Sequence, residues 1–132
     1  MIGDTAVSPG GGGFDGLETP CLVLDADILQ ANVDRMRRHL DGLGVTLRPH
    51  LKTTKSLEVA RRAMAGPAGP ATVSTLREAE YFAEGGVRDM IYAVGIAPQK
   101  LDRVVAIRQR WGADLAIVLD SAAQAEAVAA WS

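Results

Sequence analysis

Residues 45–55 read Val-Thr-Leu-Arg-Pro-His-Leu-Lys-Thr-Thr-Lys. An apolar-rich run, Val45 to Leu47, leads into Arg48, His50 and Lys52 at alternate positions. Along an extended strand, residues i, i+2 and i+4 share one face. The alternation predicts a strand over Val45 to His50 that turns Leu47, Pro49 and Leu51 outward onto helices. Arg48, His50 and Lys52 then converge on the inside. Three donors on one buried face are costly unless an anionic or electrophilic group sits among them. The stretch therefore marks both a strand of an α/β protein and a candidate site.

Working outward, Thr19-Pro20 leads into a short extended segment, Cys21 to Leu24. Asp25 or Asp27 can cap a helix whose Ile28, Leu29, Val33, Met36 and Leu40 follow helical spacing, with Gly42 and Gly44 ending it. Beyond the opening stretch, Thr53 or Thr54 can cap a second helix running to about Met64. Gly66-Pro67-Ala68-Gly69-Pro70 breaks the chain. A strand near Ala71 to Ser74 runs into Thr75-Leu76-Arg77-Glu78, a capping box, and the helix behind it stops at Gly85-Gly86. Met90 to Val94 is an apolar strand. Pro98 suits the first turn of a helix to about Trp111, with Gly112 as its stop. Leu115 to Leu119 is a further strand, and Ser121 with Gln124 offers a second capping box.

Strand and helix alternate throughout, which predicts parallel β/α architecture. Four βα units follow the first helix, and four strands cannot close the eight-stranded barrel that such units build. The last helix reaches Trp131-Ser132 without a C-cap signal. The expected fold class is therefore α/β, the N-terminal half of a (β/α)8 TIM-type barrel, truncated. A small open sheet is the alternative.

Composition excludes several classes. The chain has 132 residues, is 48% hydrophobic and carries a net charge of −2, as expected of one globular unit that does not bind nucleic acid. No run approaches the ~18 apolar residues of a membrane span. Residues 1–16 hold Gly3, Gly10 to Gly13 and Gly16, and are expected to form a flexible Gly-rich tail rather than a signal peptide or a phosphate cradle. The single cysteine, Cys21, precludes an internal disulfide and fits a cytoplasmic location; within its apolar run it is expected to be a small buried hydrophobe. No cluster of His, Cys and Asp has the spacing of metal ligands.

Three segments together resemble a known family: Leu17-Glu18-Thr19-Pro20-Cys21-Leu22-Val23-Leu24-Asp25, then Leu47-Arg48-Pro49-His50-Leu51-Lys52-Thr53, then Ser74-Thr75-Leu76-Arg77-Glu78-Ala79-Glu80. They are similar to the D-threonine aldolase and D-serine dehydratase group of pyridoxal-phosphate (PLP) enzymes, relatives of alanine racemase with a fold-type III barrel. The resemblance implies that residues 17–132 form a partial, alanine racemase-like PLP-binding barrel domain without the C-terminal half of the barrel or the β domain. It implies that Lys52 carries the cofactor as an internal aldimine. Members often have His where this chain has Thr54. The implied reaction is that of a lyase on D-3-hydroxy amino acids, with the cofactor as electron sink. A divalent metal polarises the substrate hydroxyl in full-length relatives, through ligands this chain does not contain. The 132 residues alone are expected to bind PLP weakly and turn over little.

Residue chemistry selects the same lysine. Alternation puts Lys52 on the interior face at the C-terminal end of a strand, whereas Lys55 breaks register and is expected to be exposed in the first turn of the next helix. A lysine that attacks an aldehyde must be partly unprotonated, and Arg48 and Lys55 are candidate cations to favour this. His50 either contacts the cofactor ring or is a satisfied histidine at the barrel mouth. Arg48, one layer deeper, is expected to pair with a carboxylate of a neighbouring strand. Ser74 and Thr75 can line the site, Thr75 chiefly as a cap; Tyr92 can be site or core; His39 is expected to be solvated. Three other readings remain: an alanine racemase-type racemase, a non-catalytic PLP-binding protein, and a cofactor-free half-barrel that self-associates. Expected partners are a D-amino acid and either a second copy or a complementing C-terminal half.

Overall fold

Local capping chemistry sets most of the helix boundaries in the structure, a computed structural model that describes residue 14 and residues 16–131. The Gly-rich tail expected over residues 1–16 lies almost wholly outside the described residues. Helix α1 spans Ala26–Leu43. The Asp25 carboxylate accepts the Asp27 and Ile28 N–H groups at 3.0 and 2.9 Å, and Gly44, in the left-handed region at φ 66°, closes the helix. Gly42, expected to help end it, lies within its last turn. Helix α2 spans Leu57–Ala63 and starts later than expected, capped by Ser56 instead of Thr53 or Thr54. The reason is a turn in which Lys55 N–H bonds to Leu51 C=O at 3.1 Å. Lys55 itself has φ 48°, which no helix interior accommodates.

The remaining elements alternate: β1 (Ala71–Val73), α3 (Leu76–Glu84), β2 (Asp89–Gly95), a 3₁₀ turn (Pro98–Lys100), α4 (Leu101–Trp111), β3 (Asp114–Val118) and α5 (Ala122–Trp131). The N-cap half of both expected capping boxes forms, while the Glu78 and Gln124 side chains reach back to the N–H of the residue before the cap, Ser74 and Asp120. Thr75 Oγ1 accepts the Glu78 N–H at 3.0 Å, and Ser121 Oγ accepts the Gln124 N–H at 3.2 Å. Gly112, at φ 61°, stops α4.

The three strands form a parallel sheet in the order β1-β2-β3. The strand expected over Val45 to His50 is reduced to one parallel bridge, His50 to Thr72. Leu51 N–H bonds to Thr72 C=O at 2.9 Å and Thr72 N–H to Pro49 C=O at 2.8 Å. The next pair of ladder bonds would need N–H groups from Pro49 and from Pro70, two residues before Thr72, and proline has none. Counted with this bridge, the four expected βα units are present.

Register divides the sheet into two faces. Ala71, Met90 and Leu115 form one row and Val73, Tyr92 and Ile117 another, on the face covered by helices. Ala60 of α2 and Met64 just after it, Phe82 of α3 and Ile107 of α4 complete that core, together with Leu51 from the opening stretch. Thr72, Ile91 and Ala116 line the opposite face, where Ala93, Ala116 and Val118 stand exposed. One region departs from expectation: Cys21 is exposed, not buried, and so are Leu22, Val23 and Leu24. Among the described residues that run joins no strand of the sheet. No helix among the described residues is long and apolar enough to cross a membrane.

Candidate active site

Because the strands are parallel, their C-terminal ends gather at one end of the sheet: residues 50–52, Ser74-Thr75, 92–95 and 118–120. His50 pairs with Thr72 and so shares its face, the one left open by the helices. Its ring sits between two partners. The Lys52 backbone N–H lies 3.4 Å from Nδ1, and Ser74 Oγ lies 3.2 Å from Nε2. A backbone N–H can only donate, so Nδ1 accepts. The neutral ring then carries its proton on Nε2 and donates it to Ser74.

Lys52 follows immediately, beyond the end of the bridge, with an exposed side chain. Its amine makes no hydrogen bond or ion pair with any described residue. The loop that carries it is held at three places. Leu51 is buried at 2% exposure, His50 reaches Ser74, and Lys55 Nζ lies 3.7 Å from Glu78 Oε1. Glu78 is the one charged or polar residue buried in the described core, at 7% exposure. Its other oxygen accepts the Ser74 N–H at 2.8 Å. The carboxylate thus reaches one residue further back than the usual capping box and ties α3 to the Lys52 loop.

Arg48, His50 and Lys52 do not converge on one point. Arg48 is bidentate with Asp89 of β2, at 2.7 and 3.0 Å, bridging over β1. This is the expected carboxylate pairing. Arg48 and Lys55, expected to act as cations on Lys52, each face a carboxylate that offsets their charge. Lys55 precedes the Ser56 cap and is not in the first turn of α2. Tyr92 belongs to the core at 2% exposure, and its hydroxyl accepts from Lys100 Nζ at 3.1 Å. His39 is exposed, as expected. Lys100 and the second role of Glu78 were not evident from the sequence; the capping-box spacing was the one signal that pointed to Glu78.

A parallel β/α sheet whose strands all end on one side, with Lys52 just after the first strand position, has the arrangement of β/α-barrel proteins, in which sites gather at the C-terminal ends of the strands. Residues 24–132 match the family described as alanine racemase, N-terminal domain, and the chain belongs to that family, one of PLP-dependent fold-type III enzymes. Over 115 residues it is 47% identical to the D-threo-3-hydroxyaspartate dehydratase of Delftia sp. (strain HT23), covering 87% of this chain and 30% of that protein. The solved structure of that dehydratase superposes with a TM-score of 0.82 at 46% identity, over 88% of this chain and 30% of its own. A solved D-threonine aldolase from Filomicrobium marinum gives a TM-score of 0.71 at 28% identity, over 86% of this chain and 32% of its own. The chain thus spans about a third of the length of the relatives it matches. The expected fold holds on these grounds: the sheet is the N-terminal part of an alanine racemase-like barrel.

Proposed function

We propose that the chain is the N-terminal part of a PLP-dependent lyase for D-3-hydroxy amino acids, with Lys52 as the residue that holds the cofactor. One observation carries the reading: just after the first strand position, Lys52 presents an amine with no partner among the described residues. An amine free of a carboxylate partner, on a loop fixed by Leu51, His50 and Glu78, suits covalent attachment of an aldehyde cofactor. When bound, PLP supplies an electron sink for negative charge developing at the substrate Cα. His50 stands two residues from that amine and offers its ring, fixed by Ser74, to the cofactor.

The 47% identity to a D-threo-3-hydroxyaspartate dehydratase favours elimination from a 3-hydroxy acid. A divalent metal acting on the β-hydroxyl belongs to the same proposal. Its ligands are assigned to the part of the relatives that this chain does not span, since no group of His, Cys, Asp or Glu suited to a metal occurs among the described residues. A cytoplasmic setting is included, supported by the lone free thiol of Cys21. So is a covering partner, the complementary half of a barrel or a second copy, supported by the exposed Ala93, Ala116 and Val118 face.

Grafting tests the reading. Residues 24–132 would replace the matching segment of the Delftia dehydratase, and the graft would be assayed with D-threo-3-hydroxyaspartate, D-threonine and D-serine. Dehydration that is lost on Lys52→Ala is expected. A folded graft whose activity survives Lys52→Ala would overturn the assignment.

A further inference from the structure

At the same sheet end lies a cleft of about 310 Å³, between the β1–α3 junction and the 3₁₀ turn after β2. Its polar lining is Ser74, Thr75, Arg77, Tyr92, Lys100 and Arg103, over an apolar floor of Leu76 and Val94. Three cations and three hydroxyls face it, and no carboxylate does.

The cations differ in how far they are compensated. Arg103 is neutralised by Glu80, which it meets with two hydrogen bonds of 2.7 and 2.8 Å. Arg77 forms no ion pair with a described residue, although its field reaches Glu80. Among the described residues Lys100 has only uncharged partners, the Tyr92 hydroxyl at 3.1 Å and the Tyr92 ring at 5.7 Å. Tyr92 is buried in the core, so it fixes that ammonium at the rim. Ser74, accepting from His50, keeps its own O–H to donate. A fixed ammonium, a guanidinium with no ion pair among the described residues and a free hydroxyl around one small-molecule-sized cavity are complementary to an oxyanion.

We infer that this cleft binds the carboxylate or phosphate group of a small molecule, with Lys100, Arg77 and Ser74 as its donors. The inference does not depend on the assignment of Lys52. The test is titration of the 132-residue chain with succinate and, separately, with inorganic phosphate at constant ionic strength, following the amide resonances of Ser74, Arg77 and Lys100. Saturable shifts are expected. Lys100→Met should weaken binding about tenfold, the loss expected for one charge-assisted hydrogen bond. Arg77→Met should weaken it by a smaller factor. Both side chains are exposed, so the fold should survive either change. Tyr92→Phe, which frees Lys100 but keeps the ring, should weaken binding a few-fold. Lys52→Ala should leave binding unchanged, which separates this site from the cofactor assignment. Preference for succinate would identify a carboxylate ligand, and preference for phosphate a phosphorylated one. No saturable shift with either anion, or a shift that persists in the Lys100→Met/Arg77→Met double variant, would overturn the inference.

Discussion

Replacing Glu78 by alanine tests whether α3 fixes the loop that carries Lys52. The buried carboxylate accepts the Ser74 N–H at 2.8 Å, a charge-assisted bond whose loss costs about 1.5–3 kcal/mol. Its contact with Lys55 adds little. The separation is 3.7 Å and the Lys55 side chain is 60% exposed, which places that pair at about 0.5 kcal/mol or less. The Thr75 cap survives, because it uses the Glu78 backbone N–H. Alanine returns a few tenths of a kcal/mol in helix propensity. The expected net loss is about 2 kcal/mol, read from urea denaturation followed by circular dichroism. Glu78→Gln keeps an acceptor and loses the charge, so it should cost roughly half as much. Lys55→Ala should be nearly silent. Amide exchange at Ser74 and over residues 52–55 should accelerate in Glu78→Ala. A loss below about 0.5 kcal/mol for Glu78→Ala, or an equal loss for Lys55→Ala, would refute the reasoning.

Two further outcomes follow from the packing and the surface charges. Phe82 is fully buried beneath the sheet, so Phe82→Ala should cost about 3–5 kcal/mol in the same assay; a loss under about 1 kcal/mol would contradict a tightly packed core. The Arg103 guanidinium, through its hydrogen bonds, holds the Glu80 carboxyl below its ordinary value of 4.5. A carboxyl lowered on folding adds stability that is complete above the unfolded value and is lost as pH falls through the folded one. The Arg103 side chain is 50% exposed and that of Glu80 26%, so solvent screening should keep the effect within about 1 kcal/mol. Arg103→Gln should flatten the stability profile below pH ~4.5 and leave it steep if the pair is unimportant.

Much of the fold was legible because its signals are local. Asp25, Thr75 and Ser121 accept from backbone N–H groups a few residues away and Gly112 turns left-handed, and all four do as their positions predict. Features that depend on distant neighbours were harder to read. Whether residues 45–50 make a full strand depends on what lies beside them, and Pro49 opposite Pro70 leaves only the His50 bridge. Cys21 looked buried because its neighbours are apolar, but nothing among the described residues draws that run into the sheet. At the site, the alternation of Leu51 against His50 was correct, since Leu51 enters the core and His50 shares the open face. The contact of His50 with Ser74 joins residues 24 apart in the chain. No spacing rule reaches that far, and the same holds for Arg48 with Asp89.

The central claim concerns Lys52. The chain carries three lysines, Lys52, Lys55 and Lys100, and among the described residues Lys55 has a carboxylate and Lys100 a phenol while Lys52 has no partner. Incubation with PLP, reduction with borohydride and peptide mapping of the pyridoxyl adduct distinguishes them directly. The account predicts the adduct on Lys52 at low cofactor excess, and its loss in Lys52→Ala without transfer to another site. An adduct on Lys55 or Lys100 with Lys52 unmodified would contradict it.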